Sequence, residues 1–492
     1  MDLLETGGIT PTAGRPPSAG SLTPGVPPSG RLDVVTYEAA GLGDRSYLVH
    51  DGHAAAVIDA QRDPAPYLAT AAELGLEITA VLETHMHNDY VSGGLALARR
   101  TGASYGIPAA ETVAFSSECE ALAEGEQLSV GELTLTALST PGHTPHHLSY
   151  LVEGGSGANV VLTGGSLLAG ATGRTDLFGQ EQGPKLAEAQ WRSVRRLLEQ
   201  LPPGTTVLPT HGFGSFCSTG STAAGAPGEL TIGTERQRNP AALLQLAAFV
   251  ESLVVDPPPV PAYYAYMAPL NRAGPAEPGQ GPVPWVEPTS LARLWRSGTA
   301  IVDVRQRRIF AAKHWPGALN LESGPSLPTY LGWVIPFTAP VVLVSDSVDD
   351  TLEARRLLAQ IGREELSGWT GAEDFLASLD GDGRGHYEVA DFRDLAARGQ
   401  RGVPPIVFDV RFPYEWRAGH IQGARNVPVP DFGAFCVAFP STEDEIWVHC
   451  AAGYRAAIAA SLLSSRGLRP VLVDDLFDNA AAAGLDIVTD AR

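Results

Sequence analysis

Apolar and polar residues alternate along Arg31–Glu38, Tyr47–Asp51 and Ala54–Asp59, the period-two pattern of strands that turn one face to a core. PAPYLATAAELG, from Pro64 to Gly75, then reads as a helix, and ITAVLETH, from Ile78 to His85, as another strand. The mixture continues to Thr231–Leu253, where TIGTERQRNPAALLQLAAFVESL opens on turn residues and becomes one amphipathic helix. Clustered prolines in VVDPPPVPAYYAYM break the pattern, and with the Gly/Pro-rich stretch after Gly274 they mark a linker over 256–283. A first α/β domain is therefore expected over 31–255. The thirty residues ahead of it lack a basic start and an apolar core, and read as a disordered tail rather than a signal peptide or membrane anchor.

Beyond the linker the chain repeats itself. IVDVRQRRIFAAKHWPGALNL and VFDVRFPYEWRAGHIQGARNV place Asp303 and Asp409, His314 and His420, and Asn320 and Asn426 each 106 residues apart. Each copy is a strand ending in Asp-Val-Arg, a helix, and a His-x-x-Gly-Ala turn into another strand. Two α/β domains of about a hundred residues, over 284–382 and 388–492, follow from this.

The second copy runs on as EIWVHCAAGYRAAIAASLLSSRG: an apolar strand, the loop Cys450-Ala451-Ala452-Gly453-Tyr454-Arg455, and a helix. A strand–loop–helix of this kind aims successive backbone N–H groups at one point, where an anion is stabilised. Cys450 is thereby expected to act as a thiolate nucleophile that accepts and passes on sulfur, with Arg455 beside it. Both repeats resemble the rhodanese (sulfurtransferase) family through Asp409-Val410-Arg411, Gly419-His420-Ile421 and C-x-x-G-x-R. A cysteine phosphatase places its arginine one position later to fit phosphate; here position 456 is alanine, and the smaller loop suits a sulfane sulfur. The first copy reads VVLVSDSVDD, with Ser345 in the cysteine's place and Asp350 in the arginine's, and is expected to be catalytically silent.

Histidines follow apolar strands of the first domain in Thr84-His85-Met86-His87-Asn88-Asp89-Tyr90, in Thr140-Pro141-Gly142-His143-Thr144-Pro145-His146-His147 and in Pro209-Thr210-His211-Gly212. Imidazoles gathered at strand ends point to a metal. THMHNDY, TPGHTPHHLSY, Gly173-Arg174-Thr175-Asp176, HGFGSFC and TIGTERQRNP resemble the metallo-β-lactamase fold, an αββα sandwich, and within it the persulfide dioxygenases, over about residues 31 to 245. The order of parts is similar to that of persulfide dioxygenases fused to two rhodanese domains. The resemblance implies a multidomain α/β enzyme that turns a low-molecular-weight thiol persulfide, of glutathione, coenzyme A or a similar thiol, with oxygen and water into sulfite or thiosulfate and free thiol.

It also implies one mononuclear iron (Fe2+), held by His85, His143 and a carboxylate at the position of Gly165, which has no side chain. Three outcomes stay open: His87 swings in to make a three-histidine site with His85 and His143, Asp89 supplies the carboxylate, or metal binds too weakly to act. Restoring aspartate at position 165 should create activity if only that ligand is missing. Arg174, Arg236 and Arg238 are expected to clamp an anionic substrate, and His211 and Cys217 to line its site. Two alternatives are a sulfurtransferase whose first domain binds substrate without metal, and a zinc-dependent thioester hydrolase of the glyoxalase II kind.

Charge narrows the partners. A formal net charge of −21 argues against nucleic acid, which needs a basic surface. No apolar run approaches the roughly 20 residues of a membrane span. Four scattered cysteines make no disulfide framework, which places the protein in a reducing cytoplasm. A homo-oligomer is compatible with all of this.

Overall fold

A computed structural model describes residues 10–13, 31–39, 41–155, 159–212, 214–218, 230–254, 259–279, 281–379, 384–402 and 404–489. The chain is a multidomain α/β protein with two compact units, Met1–Gly279 with Leu357–Gly362 and Gln280–Arg356 with Arg363–Arg492.

In the first unit, Val49, Ile58 and Leu82 of one sheet meet Leu135, Ala137 and Tyr150 of another, forming a core between two layers of strands. The first sheet runs through Thr10–Ala13, Asp33–Ala39, Asp44–His50, Ala54–Ile58, Glu77–Leu82, Ser104–Pro108 and Glu120–Leu122. The second runs in the order Thr206–Pro209, Asn159–Gly164, Leu148–Glu153, Leu133–Ser139, Gln127–Val130. Helices Ala65–Leu74 and Gly94–Thr101 cover the outer face of the first sheet, burying Tyr67, Leu95 and Leu97 against Leu48, Val57 and Val81. Helix Gly183–Gln200 covers the second, setting Ala187, Val194 and Leu197 on Val161 and Val207. Strands covered on both faces read as continuous apolar runs, as AAAVI of Ala54–Ile58 does.

Three expectations change. Most of the 1–30 tail lies outside the described residues, but Thr10–Ala13 is a strand, paired antiparallel to Asp33–Ala39 from Thr10↔Glu38 to Ala13↔Val35; an edge strand's open donors and acceptors take up another strand. The turn residues and following helix expected over 231–253 are three helices: Ile232–Arg238, Pro240–Leu243 and Leu246–Val254. Pro240 starts a new helix because Asn239 is extended and its side chain caps Ala241 N–H at 3.0 Å. The expected linker carries a helix, Tyr264–Ala273, which buries Tyr264, Met267, Ala268 and Asn271 despite the internal Pro269. Its apolar positions gain more by burial than the prolines around it cost.

The second unit holds two separate parallel sheets. One orders Leu319–Asn320, Ala300–Asp303, Val341–Ser345, Gly368–Gly371; the other Glu388–Ala390, Arg469–Val473, Glu445–His449, Ile406–Asp409, Arg425–Asn426. The repeated residues do the same work in each. Arg305 and Arg411 fork onto Asp303 and Asp409 with closest contacts of 2.6 Å. Asn320 and Asn426 each donate to the carbonyls of that same Asp and Arg.

Candidate functional sites

The strands Glu77–Leu82, Leu133–Ser139 and Thr206–Pro209 deliver His85, His143 and His211 to one place. Their ring centroids lie 5.0, 5.2 and 5.1 Å apart, and all three side chains are fully buried. Each Nδ1 is anchored to oxygen. Thr84 Oγ1 gives its proton to Asp59 at 2.8 Å and so accepts from His85 Nδ1 at 2.8 Å. His143 Nδ1 donates to Arg174 O at 2.8 Å, and His211 Nδ1 to Asp44 at 2.8 Å with Asp89 at 3.2 Å. With Nδ1 protonated, Nε2 of His85 and of His143 carries the lone pair, and Nε2 of His211 is turned toward them.

One nitrogen from each ring lies within 4.8 Å of the other two. Nε2 of His85 faces Nε2 of His211 at 3.3 Å, so a proton or a cation has to lie between them. A proton would serve two nitrogens and leave the third, and His143 Nε2 is buried without a hydrogen-bond partner. Two imidazoles held tetrahedrally at about 2.0–2.1 Å stand about 3.3 Å apart, so the donor set fits one cation. Burial, followed by the neighbouring imidazoles, holds His85 well below its usual range; burial and then the charge of His211 push His143 down to about 3. Both are thus in the neutral form that ligates. Burial also acts downward on His211, but Asp89 and Asp44 outweigh it and raise its affinity for positive charge.

His87 does not swing in. Its Nε2 lies 3.2 Å from both Asp59 and Glu83; burial opposes a positive charge there, but the two carboxylates prevail and raise the imidazole to about 10. It groups instead with Asp59 and Glu83, and with Asp89 and His211. Asp89 does not supply the missing carboxylate beside His143 either. It stands behind His211, next to Asp44, whose carboxyl is pushed up to about 7 by burial and by the charge of Asp89. Tyr90 stacks on His87 at 4.3 Å and donates to Asp59 O at 3.0 Å.

Gly165 is where the structure departs furthest from the expectation that a carboxylate is merely missing. A Cβ on it would fall 2.1 Å from His143 Cδ2 and 2.8 Å from His143 Nε2, so the imidazole occupies the space of the absent side chain. The Gly165 N–H donates to His147 Nε2 at 3.0 Å, and His147 stacks on His85 at 4.9 Å.

Several positioning residues escaped the sequence reading. Asp59, with φ of 55°, lies in the left-handed region at a cost of about 1–2 kcal/mol. Its carboxylate accepts from Thr84 N–H at 2.7 Å, Thr84 Oγ1 and Thr210 Oγ1, tying together the loops that carry His85 and His211. Asn271, from the stretch expected to be a linker, donates to His87 O at 3.0 Å and Tyr90 O at 2.9 Å and accepts from Ser92 N–H. The signal for Asp59 was its place at the end of an apolar strand; Asn271 left none.

The arginines expected to clamp substrate do other things. Arg174, 1% exposed, forks onto Asp176 at 2.7 Å and donates to Phe216 O, so it positions the backbone whose carbonyl holds His143. Arg236 donates to Leu198 O and Leu201 O, closing the C-terminal end of helix Gly183–Gln200. Arg238 pairs with the buried Glu235. Cys217 is fully buried, its thiol 3.7 Å from Tyr264 OH, and burial pushes that thiol upward.

In the second unit, strand Glu445–His449 runs into Cys450, which is 2% exposed, and helix Tyr454–Ser464 leaves the loop. Gly453 takes φ of 84°, and a Cβ there would fall 2.2 Å from Asp474 Oδ1. Arg455 is tied to a carboxylate. Its two terminal nitrogens fork onto Glu415 at 2.6 and 2.8 Å, which makes it a positioning residue for the loop. Glu415 was legible only as part of the Asp-Val-Arg helix. At the matching place in the first copy, Ser345 bonds Thr351 Oγ1 at 2.7 Å, and Ser347 Oγ accepts from Asp350 N–H at 3.1 Å, so that turn satisfies itself. All four cysteines are free. No helix among the described residues is long and apolar enough to cross a membrane.

Residues 42–211 match the metallo-beta-lactamase superfamily, and residues 389–475 the rhodanese-like domain. A hydroxyacylglutathione hydrolase of Cereibacter sphaeroides is 34% identical over 185 residues, 37% of this chain and 67% of that protein. Another, from Jannaschia sp., is 32% identical over 264 residues, 53% of this chain and 91% of that protein. The crystal structure of a metallo-beta-lactamase from Staphylococcus aureus subsp. aureus COL superimposes with a TM-score of 0.61 at 25% identity, covering 69% of this chain and 99% of that one. With the histidines converging at the strand ends of a double-sheet sandwich and a separate cysteine loop downstream, the chain belongs to the metallo-beta-lactamase superfamily and carries a rhodanese-like domain behind it.

Proposed function

We propose that the chain processes thiol persulfides, oxidising them in the first unit and moving their sulfane sulfur on Cys450. The observation that carries this reading is a buried set of three imidazoles, His85, His143 and His211, whose donor atoms fit one cation, in the same chain as a cysteine that opens a strand–loop–helix turn. His85, His143 and His211 would hold the metal, and ferrous iron bound there would supply oxygen activation and a seat for a persulfide sulfur. Asp44 and Asp89 orient His211, Thr84 orients His85, and the Arg174 carbonyl orients His143.

At Cys450 the thiolate attacks the outer sulfur of R–S–SH. The S–S bond of the donor breaks, Cys450–S–SH forms, and R–S⁻ leaves. Deprotonated, that persulfide gives its outer sulfur to sulfite, which becomes thiosulfate as the Cys450 thiolate is restored. The copy carrying Ser345, over 284–382, is read as a silent rhodanese-like domain ahead of the active one over 388–492.

A second reading is thioester hydrolysis, favoured by the name that the relatives bear. Hydrolysis by a two-metal clamp needs a second ligand set. Here His87, Asp89 and His211 form a second buried group, but Gly165 offers no side chain to bridge it to the first. Both readings share a glutathione-like thiol as the carrier. Metal-loaded protein should consume oxygen with glutathione persulfide and form sulfite, and a His85→Ala, His143→Ala control should not. Hydrolysis of S-D-lactoylglutathione with no oxygen uptake on the persulfide would overturn the proposal in favour of the second reading.

A further inference from the structure

The loop from Cys450 to Arg455 is held from outside at nearly every residue. Ala451 O accepts from Phe477 N–H at 2.9 Å, and Arg455 is forked on Glu415. The remaining holds come from the first copy. Arg307 donates through Nε to Asp474 at 2.7 Å and through Nη1 to Glu322 at 2.5 Å, while Nη2 faces Ala452 O at 3.5 Å. Tyr454 OH donates to Glu322 O at 3.0 Å, and its ring lies 5.4 Å from that of Tyr330. Gly453 passes so close to this cluster that an added Cβ would be 3.1 Å from Arg307 Nε.

A trans peptide carries its N–H opposite its C=O. Turning Ala451 O toward Phe477 and Ala452 O toward Arg307 therefore turns the N–H groups of Ala452 and Gly453 the other way, toward the centre of the loop. We propose that Arg307, supplied by the first copy, is a positioning residue for the Cys450 loop: it fixes the Ala452–Gly453 peptide so that its N–H stabilises negative charge on the Cys450 sulfur. The silent copy then persists because the active loop is incomplete without it. Arg308, which shares Asp474 with Arg307 but makes no contact with the loop carbonyls among those described, serves as the comparison.

The proposal takes its meaning from Cys450 as a sulfur carrier, but its test does not depend on that reading. The rate of Cys450 alkylation by iodoacetamide, followed on the peptide containing Cys450, is measured against pH in the full chain. Arg307→Met should raise the midpoint by about one pH unit and lower kcat for sulfur transfer on the order of tenfold, with KM within about twofold. Arg307→Lys should recover at least about half of the midpoint shift, since it keeps a positive charge near Asp474. Arg308→Met should keep the wild-type midpoint. A folded Arg307→Met protein with wild-type midpoint and kcat overturns the proposal, as does an equal shift in Arg308→Met, which would trace the effect to the Asp474 ion pairs rather than to the loop carbonyl. Should Arg307→Met fail to fold, Arg307→Gln decides: an upward shift supports the proposal, and a wild-type midpoint overturns it. A shifted midpoint in a chain that transfers no sulfur would sustain the role of Arg307 while ending the persulfide reading.

Discussion

The cysteine loop takes its residues from six consecutive positions, whereas the histidine pocket draws on strand ends as far as 126 residues apart. A contiguous loop between a strand and a helix has few ways to lie, and distant residues such as Glu415 and Arg307 then hold it in place. The pocket is set by tertiary packing. Which imidazole enters it depends on what else each can bond, and His87 is held out by Asp59 and Glu83 while His211 is held in by Asp44 and Asp89.

The largest test of this contrast is Cys450→Ser, which should lower sulfane-sulfur transfer on the order of a thousandfold or more while leaving the metal content of the first unit unchanged. Coupled loss of both would show that the two centres are not independently built. Next, Glu415→Gln should cost about 2–3 kcal/mol in denaturant unfolding, because it leaves the Arg455 guanidinium largely buried without its carboxylate. A near-neutral result would mean that the loop holds itself.

Gly165→Asp should not create activity. The new side chain meets the His143 ring, so we expect about 1–3 kcal/mol of overpacking and roughly tenfold or greater loss of metal affinity. Tighter metal binding in this variant would show that the glycine is a lesion rather than part of a rebuilt site.

The smallest effect is confined to acid. Burial pushes His449, beside Cys450, down to about 4 from an ordinary value of 6.5, despite Asp409 at 3.8 Å. Between those values the unfolded chain binds a proton that the folded one refuses, so stability falls as pH drops below 6.5. His449→Phe, placed between Phe392 and Phe477, should remove about 2 kcal/mol of that loss at pH 5 and change little at pH 7. An unchanged pH dependence of unfolding would contradict this.

The same contrast explains what was legible beforehand. The repeat, the strand–loop–helix around Cys450 and the strand ends bearing histidines could be read because each is a local pattern. His211 was read as lining the substrate site, and the sequence does not show that Asp44 and Asp89 turn its ring toward His85 and His143. Arg174, Arg236 and Arg238 were read by charge in an acidic chain, yet bond to Asp176, to backbone carbonyls and to Glu235. Helix Tyr264–Ala273 was hidden because prolines flank it and its burial comes from the strands and loops it covers. Arg307 carried no signal: its partners Asp474 and Ala452 lie more than 140 residues away in the chain.

The central claim, one cation held by His85, His143 and His211 with His87 outside the set, is tested most directly by the metal-to-chain ratio of purified protein. Iron and zinc are counted by mass spectrometry in wild type, His211→Ala and His87→Phe, each checked for folding by circular dichroism. The account predicts about one metal per chain in wild type and in folded His87→Phe, falling on the order of tenfold in His211→Ala. Full occupancy without His211, or loss of metal on removing His87 alone from a folded chain, would contradict it.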